Sequence, residues 1–331
     1  MEALLGKTLA ELQEVAQTIG LPKFAGKQLA EWLYVRRARS FDEMTNISLK
    51  GREALEATYS VGRHNPVREA VGRDGTRKYL FEASGQFVEA VYIPEEERAT
   101  LCVSSQAGCK MGCRFCMTGT LGFHGHLSAA DILNQIFYFD DLTNIVMMGE
   151  GEPMDNLDHV LRALEIMTAD YGCGWSPKRI TVSTVGIPAM KRFLVESDCH
   201  LAVSLHNPFP TERAQIMPAE KMYSIAEVVQ LLKQYNWSHQ RRVSFEYICW
   251  SGENDTPRHG KELLRLLKGL NCRINLIRFH EGVERDFPTS NEKQMEWLRD
   301  YLTDNGITTT IRRSRGEDIL AACGMLVAEQ Q

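Results

Sequence analysis

The chain has 331 residues, 44% hydrophobic and 24% charged, with a formal net charge of -5. That is the make-up of an ordinary globular protein, long enough for one large domain and a small one, and it excludes collagen-like, disordered and mucin-like chains. No apolar run approaches the roughly 18 residues of a membrane span, and the early acids of MEALLGKTLAELQEV speak against a secretory leader. Nine cysteines without an export signal point to metal or thiol chemistry in a reducing cytoplasm, not to a disulfide scaffold.

Thr8 with Glu11 fits a capping box that opens an apolar-periodic helix running to about Ile19. Pro22 breaks the chain, a second helix is expected from about Gly26 to Arg36 with Trp32 and Leu33 on its apolar side, and Ser40 with Glu43 marks a further start. Residues 66–94 turn to strand character: Asp74-Gly75 is a hairpin turn, Ser84-Gly85 a weaker one, and VEAVYI alternates towards Pro94. From Thr100 the rhythm changes. The runs LCVSS, NIVMMG, RITVST, HLAVSL, VSFEYI and INLIRF alternate with helical stretches near 128–140, 157–169, 188–197, 224–235, 258–268 and 291–304, and TTTIRR follows Gly306. Near-continuous apolar strands separated by helices imply parallel strands buried on both faces. Six or seven such units suit an open α/β barrel better than a closed eight-stranded one. The expected organisation is a helical domain over 1–65, a β-hairpin extension over 66–94 and an α/β core over 95–326. Only the C-terminal residues look frayed. Basic clusters at Arg36, Arg37 and Arg39, at Lys178 and Arg179, at Arg241 and Arg242, and at Arg312, Arg313 and Arg315 are solvated surface or phosphate contacts; composition does not choose.

In parallel α/β folds the ligand site lies at the carboxyl ends of the strands, so polar and sulfur residues there are the candidates. Directly after the first such strand comes GCKMGCRFCMTG, in which Cys109, Cys113 and Cys116 form C-x3-C-x2-C with Gly108 and Gly112 permitting tight turns. An iron–sulfur cluster normally takes four cysteines. Three leave one metal position open, as in catalytic rather than structural sites. A zinc site completed by His124 or His126 is the competing assignment.

This loop resembles that of the radical S-adenosylmethionine (SAM) superfamily. RATLCVSSQAGC, GEGEPMDN, ITVSTVGIP, LAVSLHNP, VSFEYI, NLIRF and RGEDILAACGML stand in the order found in the RlmN-type RNA adenine-C2 methyltransferases, and more loosely in the Cfr-type C8 enzymes. The match spans roughly 85 to 326, and KQLAEWLY extends it towards the N-terminus. The resemblance implies a partial (βα)6 radical SAM barrel with a small N-terminal helical domain and a β-hairpin linker region. It implies one 4Fe-4S cluster held by Cys109, Cys113 and Cys116, and two SAM molecules per turnover. Cys323 takes a methyl from one SAM, and the radical from the second removes hydrogen from that methyl. The methylene radical adds to adenine, Glu89 accepts the C2 proton, and Cys102 resolves the adduct by a disulfide with Cys323. Gly151 and Glu152 meet the amino end of SAM, while Ser183, Ser204, Leu205 and His206 match positions that hold it. Two departures stand out. His280 and Glu281 replace an Asn-Pro whose Asn contacts SAM, and Glu150 replaces a Met. Cys173, Cys199, Cys249 and Cys272 lie in no matched motif and are read as core or incidental.

The partners implied are 23S rRNA and tRNA, held in part by the N-terminal arginines, and an electron donor such as flavodoxin. The implied state is a cytoplasmic monomer without membrane attachment. Competing functions are C8 methylation or another RNA target, a noncatalytic metal-bearing RNA-binding module, and a radical SAM activase acting on a protein.

Overall fold

The computed structural model describes residues 1–237, 243–280 and 287–326. Helix α1 (Leu9–Thr18) opens on the expected capping box: the Glu11 N–H donates to Thr8 Oγ1, and the Thr8 N–H donates to the Glu11 carboxylate at 2.7 Å. Helix α2 (Ala25–Ala30) runs on into a wider turn over Glu31–Val35 that buries Leu33 completely and leaves Trp32 half-buried. Ser40 caps only a single turn, Phe41–Glu43, because helix α3 (Leu49–Thr58) has its own start at Ser48, whose Oγ accepts from the Gly51 N–H. Glu2–Ala3 then pairs in parallel with Tyr59–Ser60. The arginines of this segment are largely occupied. Arg36 pairs with Glu31 and lies over the Trp32 ring, Arg37 donates to the Phe139 carbonyl, and Arg39 donates to Asn65.

Strands β1 (Arg68–Val71) and β2 (Arg77–Ala83) are joined through Asp74-Gly75. Ser84 and Gly85 both have positive φ, 52° and 75°, which gives the turn from β2 to β3 (Gln86–Pro94) the right-handed twist a two-residue hairpin needs. The hairpin strands are not an appendage. They run antiparallel into β4 (Ala99–Cys102) and so continue the main sheet.

After β4 a short antiparallel pair, β5 (Gln106–Gly108) and β6 (Phe123–His126), leads into α4 (Ala129–Phe137). The alternation read from sequence then follows: β7 (Asn144–Met147), α5 (Leu157–Thr168), β8 (Ile180–Thr184), α6 (Met190–Glu196) and β9 (His200–Ser204). An unexpected short helix, α7 (Pro210–Ile216), precedes α8 (Ile225–Gln234), β10 (Val243–Cys249), α9 (Pro257–Leu267), β11 (Cys272–Arg278), α10 (Glu292–Asp304) and β12 (Thr308–Arg312). Ten of these twelve strands form one sheet in the order β12-β11-β10-β9-β8-β7-β4-β3-β2-β1, with β5 and β6 paired apart from it. From β4 to β12 every pairing is parallel, and six helical crossings connect the seven strands. Because β4 and β12 do not pair, the parallel part is an open barrel wall.

Every residue of β10 is buried, and Phe245 and Tyr247 are fully so. That is why the run read as continuously apolar instead of alternating. Among the described residues no helix is long and apolar enough to cross a membrane. Arg241, Arg242, Glu281 and the C-terminal tail after residue 326 lie outside the described residues.

Candidate active site

The cysteine loop is held shut at its base by backbone geometry. Gly108 has φ +68°, and a Cβ there would lie 2.0 Å from the Gly122 carbonyl oxygen, the atom that accepts from the Cys109 N–H at 2.8 Å. Only glycine permits that closure. Inside the loop the Cys116 N–H donates to the Cys113 carbonyl and the Gly119 N–H to the Cys116 carbonyl. Two more bonds fasten the C-terminal loop onto it, from the Met117 N–H to the Gly324 carbonyl (2.8 Å) and from Thr118 Oγ1 to the Leu326 carbonyl (2.8 Å). Chain positions 116 and 323 are thereby brought side by side.

Cys109, Cys113 and Cys116 all line one cavity at the carboxyl ends of the parallel strands, where the ligand site of such a fold lies. Burial pushes the Cys109 thiol up to about 12, and it raises those of Cys113 and Cys116 as well, with the neighbouring cysteines adding to the effect at Cys109 and Cys113. Three sulfurs, one buried and two partly so, that resist ionisation alone are what a cationic centre stabilises. The trio could hold a cluster with one open position. His124 and His126 do not line this cavity. His124 bonds the Leu121 carbonyl and His126 bonds Gln106, so neither completes a zinc set.

Gly151, Glu152, Ser183, Ser204 and His206 line the same cavity. Gly151 sits at φ +96°, and a Cβ would meet the Gln106 side chain at 2.5 Å. The Gln106 amide oxygen in turn accepts from the Glu152 N–H at 2.8 Å. The Glu152 carboxylate accepts from the Val185 and Met154 N–H groups at 2.8 and 3.0 Å, yet burial pushes its pKa up to about 7. A ligand ammonium is the natural counter-charge. His206, at φ +52°, accepts from the Ile248 N–H at Nδ1 and is held neutral by burial, its pKa near 3, so its proton sits on Nε2. Leu205 does not join them. Its side chain is fully buried in the hydrophobic core, and its backbone N–H donates to the Glu246 carbonyl.

Cys323 stands on the cavity rim, and Cys102 lies buried just beneath, packed with Val91, Val146, Ala321 and Leu326. Burial, reinforced by the nearby Cys323, pushes the Cys102 thiol up to about 12. Glu89 is 2% exposed, inward on a strand buried on both sides, not on an outer hairpin face, and it does not line the cavity. Its carboxylate meets Lys78 Nζ at 2.9 Å, and that ammonium also donates to the Leu320 carbonyl at 3.4 Å. Glu150 accepts from the Glu89 N–H (2.8 Å) and the Gly108 N–H (3.4 Å); burial, with Glu89 adding, raises it to about 8. His280 lies outside the main cavity, in a neighbouring groove, hydrogen-bonded to Ser314.

Three functional-looking residues are not among the site candidates read from the sequence, although Glu246 lies within the VSFEYI run and Arg312 in a basic cluster. Glu246, buried on β10, reaches the cavity wall, and its Oε2 stands 3.8 Å from Arg312 Nη1. Arg312 lines both the cavity and the groove beside Cys323. Arg213 of α7 is completely buried and holds the ends of β8 and β9 together, donating to the carbonyls of Val185 (2.7 Å), Ser204 (2.8 Å) and Leu205 (3.0 Å) and to Glu220.

Residues 103–268 match the family model of the radical SAM superfamily, and residues 3–61 match that of the ribosomal RNA large subunit methyltransferase N-terminal domain. A probable dual-specificity RNA methyltransferase RlmN of Bacteroides fragilis is 59% identical over 99% of this chain and 97% of its own length. This chain belongs to the RlmN family of radical SAM methyltransferases. The RlmN-type relative from Bacteroides thetaiotaomicron is 57% identical over 99% of this chain and 96% of its own. The crystal structure of a radical SAM methyltransferase from Sphaerobacter thermophilus superposes with a TM-score of 0.93 at 37% identity, covering 99% of this chain and 100% of that one. The radical SAM assignment carries with it a 4Fe-4S cluster and SAM as cofactors.

Proposed function

We propose that this RlmN-family enzyme methylates C2 of one adenine in 23S rRNA and one in tRNA, through a methyl group carried on Cys323. The observation that carries the reading is the pairing of sulfurs. Cys323 is anchored on the rim of the three-cysteine cavity by the Gly324–Met117 bond, with Cys102 buried beside it. Adenine C2 is an electron-poor carbon without an acidic proton or a leaving group, so methyl transfer by simple displacement is closed to it. When bound, the cluster and SAM supply the radical chemistry that such a carbon requires.

The chain's own residues divide the remaining work. Cys109, Cys113 and Cys116 hold the cluster, and Gly151, Glu152, Ser183, Ser204 and His206 form the SAM wall, with Glu152 facing the ammonium. The Leu205 side chain packs in the core, which leaves only its backbone for SAM. The Cys323 thiol would receive the methyl group that bound SAM supplies, giving up its proton. Glu89 is the residue that the family resemblance assigns to the C2 proton. Its carboxylate sits behind the cavity wall, paired with Lys78, so the proton has to cross that wall to reach it, and Lys78 also touches the loop carrying Cys323. The Cys102 thiolate then attacks the Cys323 sulfur. The disulfide forms as the S–C bond to the RNA adduct breaks, and its electron pair leaves on the RNA-borne carbon, which takes up a proton to become the methyl group. The family's electron donor is taken to be a flavodoxin-type protein, and the enzyme a cytoplasmic monomer. The target adenine must leave its stack to reach the cavity.

The test is anaerobic turnover of the reconstituted protein with tRNA and a 23S rRNA fragment, followed by mass spectrometry of the digested RNA. 2-Methyladenosine together with S-methylated Cys323 is expected. 8-Methyladenosine, or 5'-deoxyadenosine release without RNA methylation, overturns the reading.

A further inference from the structure

The segment from β12 to the C-terminal loop forms a groove beside the main cavity, and the two share Ile277, Arg312 and Cys323. The groove's other polar lining is Arg313, Ser314, Arg315 and His280. We propose that this groove binds a backbone phosphate of the RNA strand whose adenine enters the main cavity. The inference rests on the reading that the chain acts on RNA, and it adds where the strand is gripped.

The charges decide the sign of the ligand. Arg312 is turned to the inner wall by Glu246, and Arg315 stands between Asp74 and Glu95 at 3.9 and 3.8 Å, beyond hydrogen-bond reach of either. The Arg315 Nε is buried without a hydrogen-bond partner. Glu317 lies 3.6 Å from His280, whose ring is bonded to Ser314; burial lowers the pKa of that ring, which leaves it a neutral hydrogen-bonding group. Arg313 is exposed, and no carboxylate among the described residues pairs with it. One uncommitted guanidinium at the mouth and a second held only by two long ion pairs are the donors that a phosphodiester's two free oxygens accept.

The position supports RNA over a free anion. The groove opens on the same thiol, Cys323, that borders the main cavity, and a nucleotide's base and phosphate are covalently tied. A base drawn into the main cavity therefore leaves its strand's phosphates at this wall. In the N-terminal cluster, by contrast, Arg36 and Arg37 are already engaged by Glu31 and by the Phe139 carbonyl and Asp140.

The experiment measures binding of a fluorescein-labelled tRNA transcript to the reconstituted full chain by anisotropy, across a salt series, for the wild type, R313A, R313E and R313K. R299A serves as the control, since Arg299 sits on α10 paired with its neighbour Asp300. Melting midpoints and cluster absorbance check that each variant is folded. We expect R313A to weaken binding about tenfold and R313E more, as for the loss of one charge-assisted bond. The slope of log K against log salt should fall by roughly 0.7 for R313A and be retained by R313K. If R313A and R313E bind with wild-type affinity and slope, or no more weakly than R299A, the groove assignment is wrong while the RNA reading stands. If the wild-type chain binds no tRNA, both fall.

Discussion

Arg213 offers the most direct physical test of how the SAM wall is held. Its guanidinium is fully buried and paired with the nearly inaccessible Glu220, and it also donates to three backbone carbonyls at the ends of β8 and β9. Arg213→Met removes the positive partner but leaves Glu220 in place, still accepting from the Ile225 N–H at 2.9 Å. Breaking a buried pair from one side costs about 3–5 kcal/mol. Each carbonyl left without a donor adds about 1 kcal/mol at most sites. The sum is a large share of the roughly 5–15 kcal/mol by which a domain is stable. Anaerobic urea unfolding of the reconstituted protein, followed by circular dichroism, should therefore show at least about 3 kcal/mol lost. The double variant R213M/E220M should recover a good part of it, because no unpaired charge remains buried. SAM affinity should also drop in the single variant, since Ser204 and Val185 line the cavity. A loss under about 1 kcal/mol, or a double variant no more stable than the single one, would refute the assignment of Arg213 as the clasp between these strands.

Burial raises the Cys102 thiol from an ordinary value of 9.0 to about 12 and so favours the neutral form. At pH 8 its thiolate is then about a thousandfold scarcer than that of an ordinary thiol, and it grows tenfold per pH unit. Iodoacetamide followed by peptide mass mapping should label exposed Cys323 long before Cys102; equal labelling contradicts the buried placement. Replacing Cys109, Cys113 or Cys116 by Ala should remove cluster absorbance and activity together, whereas Cys323→Ala should keep the absorbance and lose RNA methylation. Cys102→Ala should accumulate protein covalently joined to RNA, visible as a shifted band on a denaturing gel; normal turnover counts against its resolving role. Gly151→Ala combines a φ of +96° with a Cβ 2.5 Å from Gln106, which dislodges the acceptor of the Glu152 N–H. SAM affinity by equilibrium dialysis should fall at least about tenfold, and an unchanged affinity would mean that Gln106 does not set the position of Glu152.

What the sequence determined by itself is the set of features encoded locally. The C-x3-C-x2-C loop closes through glycines within the same stretch, the capping boxes at Thr8 and Ser40 act over three residues, and each parallel strand shows as a short apolar run because both of its faces are covered. Tertiary structure decided whatever depends on which distant strands become neighbours. It set Arg213 against Glu220 in the interior and turned Glu246 towards Arg312, pairings between charged residues that look like surface when read singly. It sent the Leu205 side chain into the core, moved His280 out to the groove, and placed Glu89 behind Lys78 instead of on the cavity wall. The physical reason is range. Backbone turns and helix caps are satisfied within a few residues, whereas a buried charge is tolerated only where the fold delivers its partner from elsewhere in the chain.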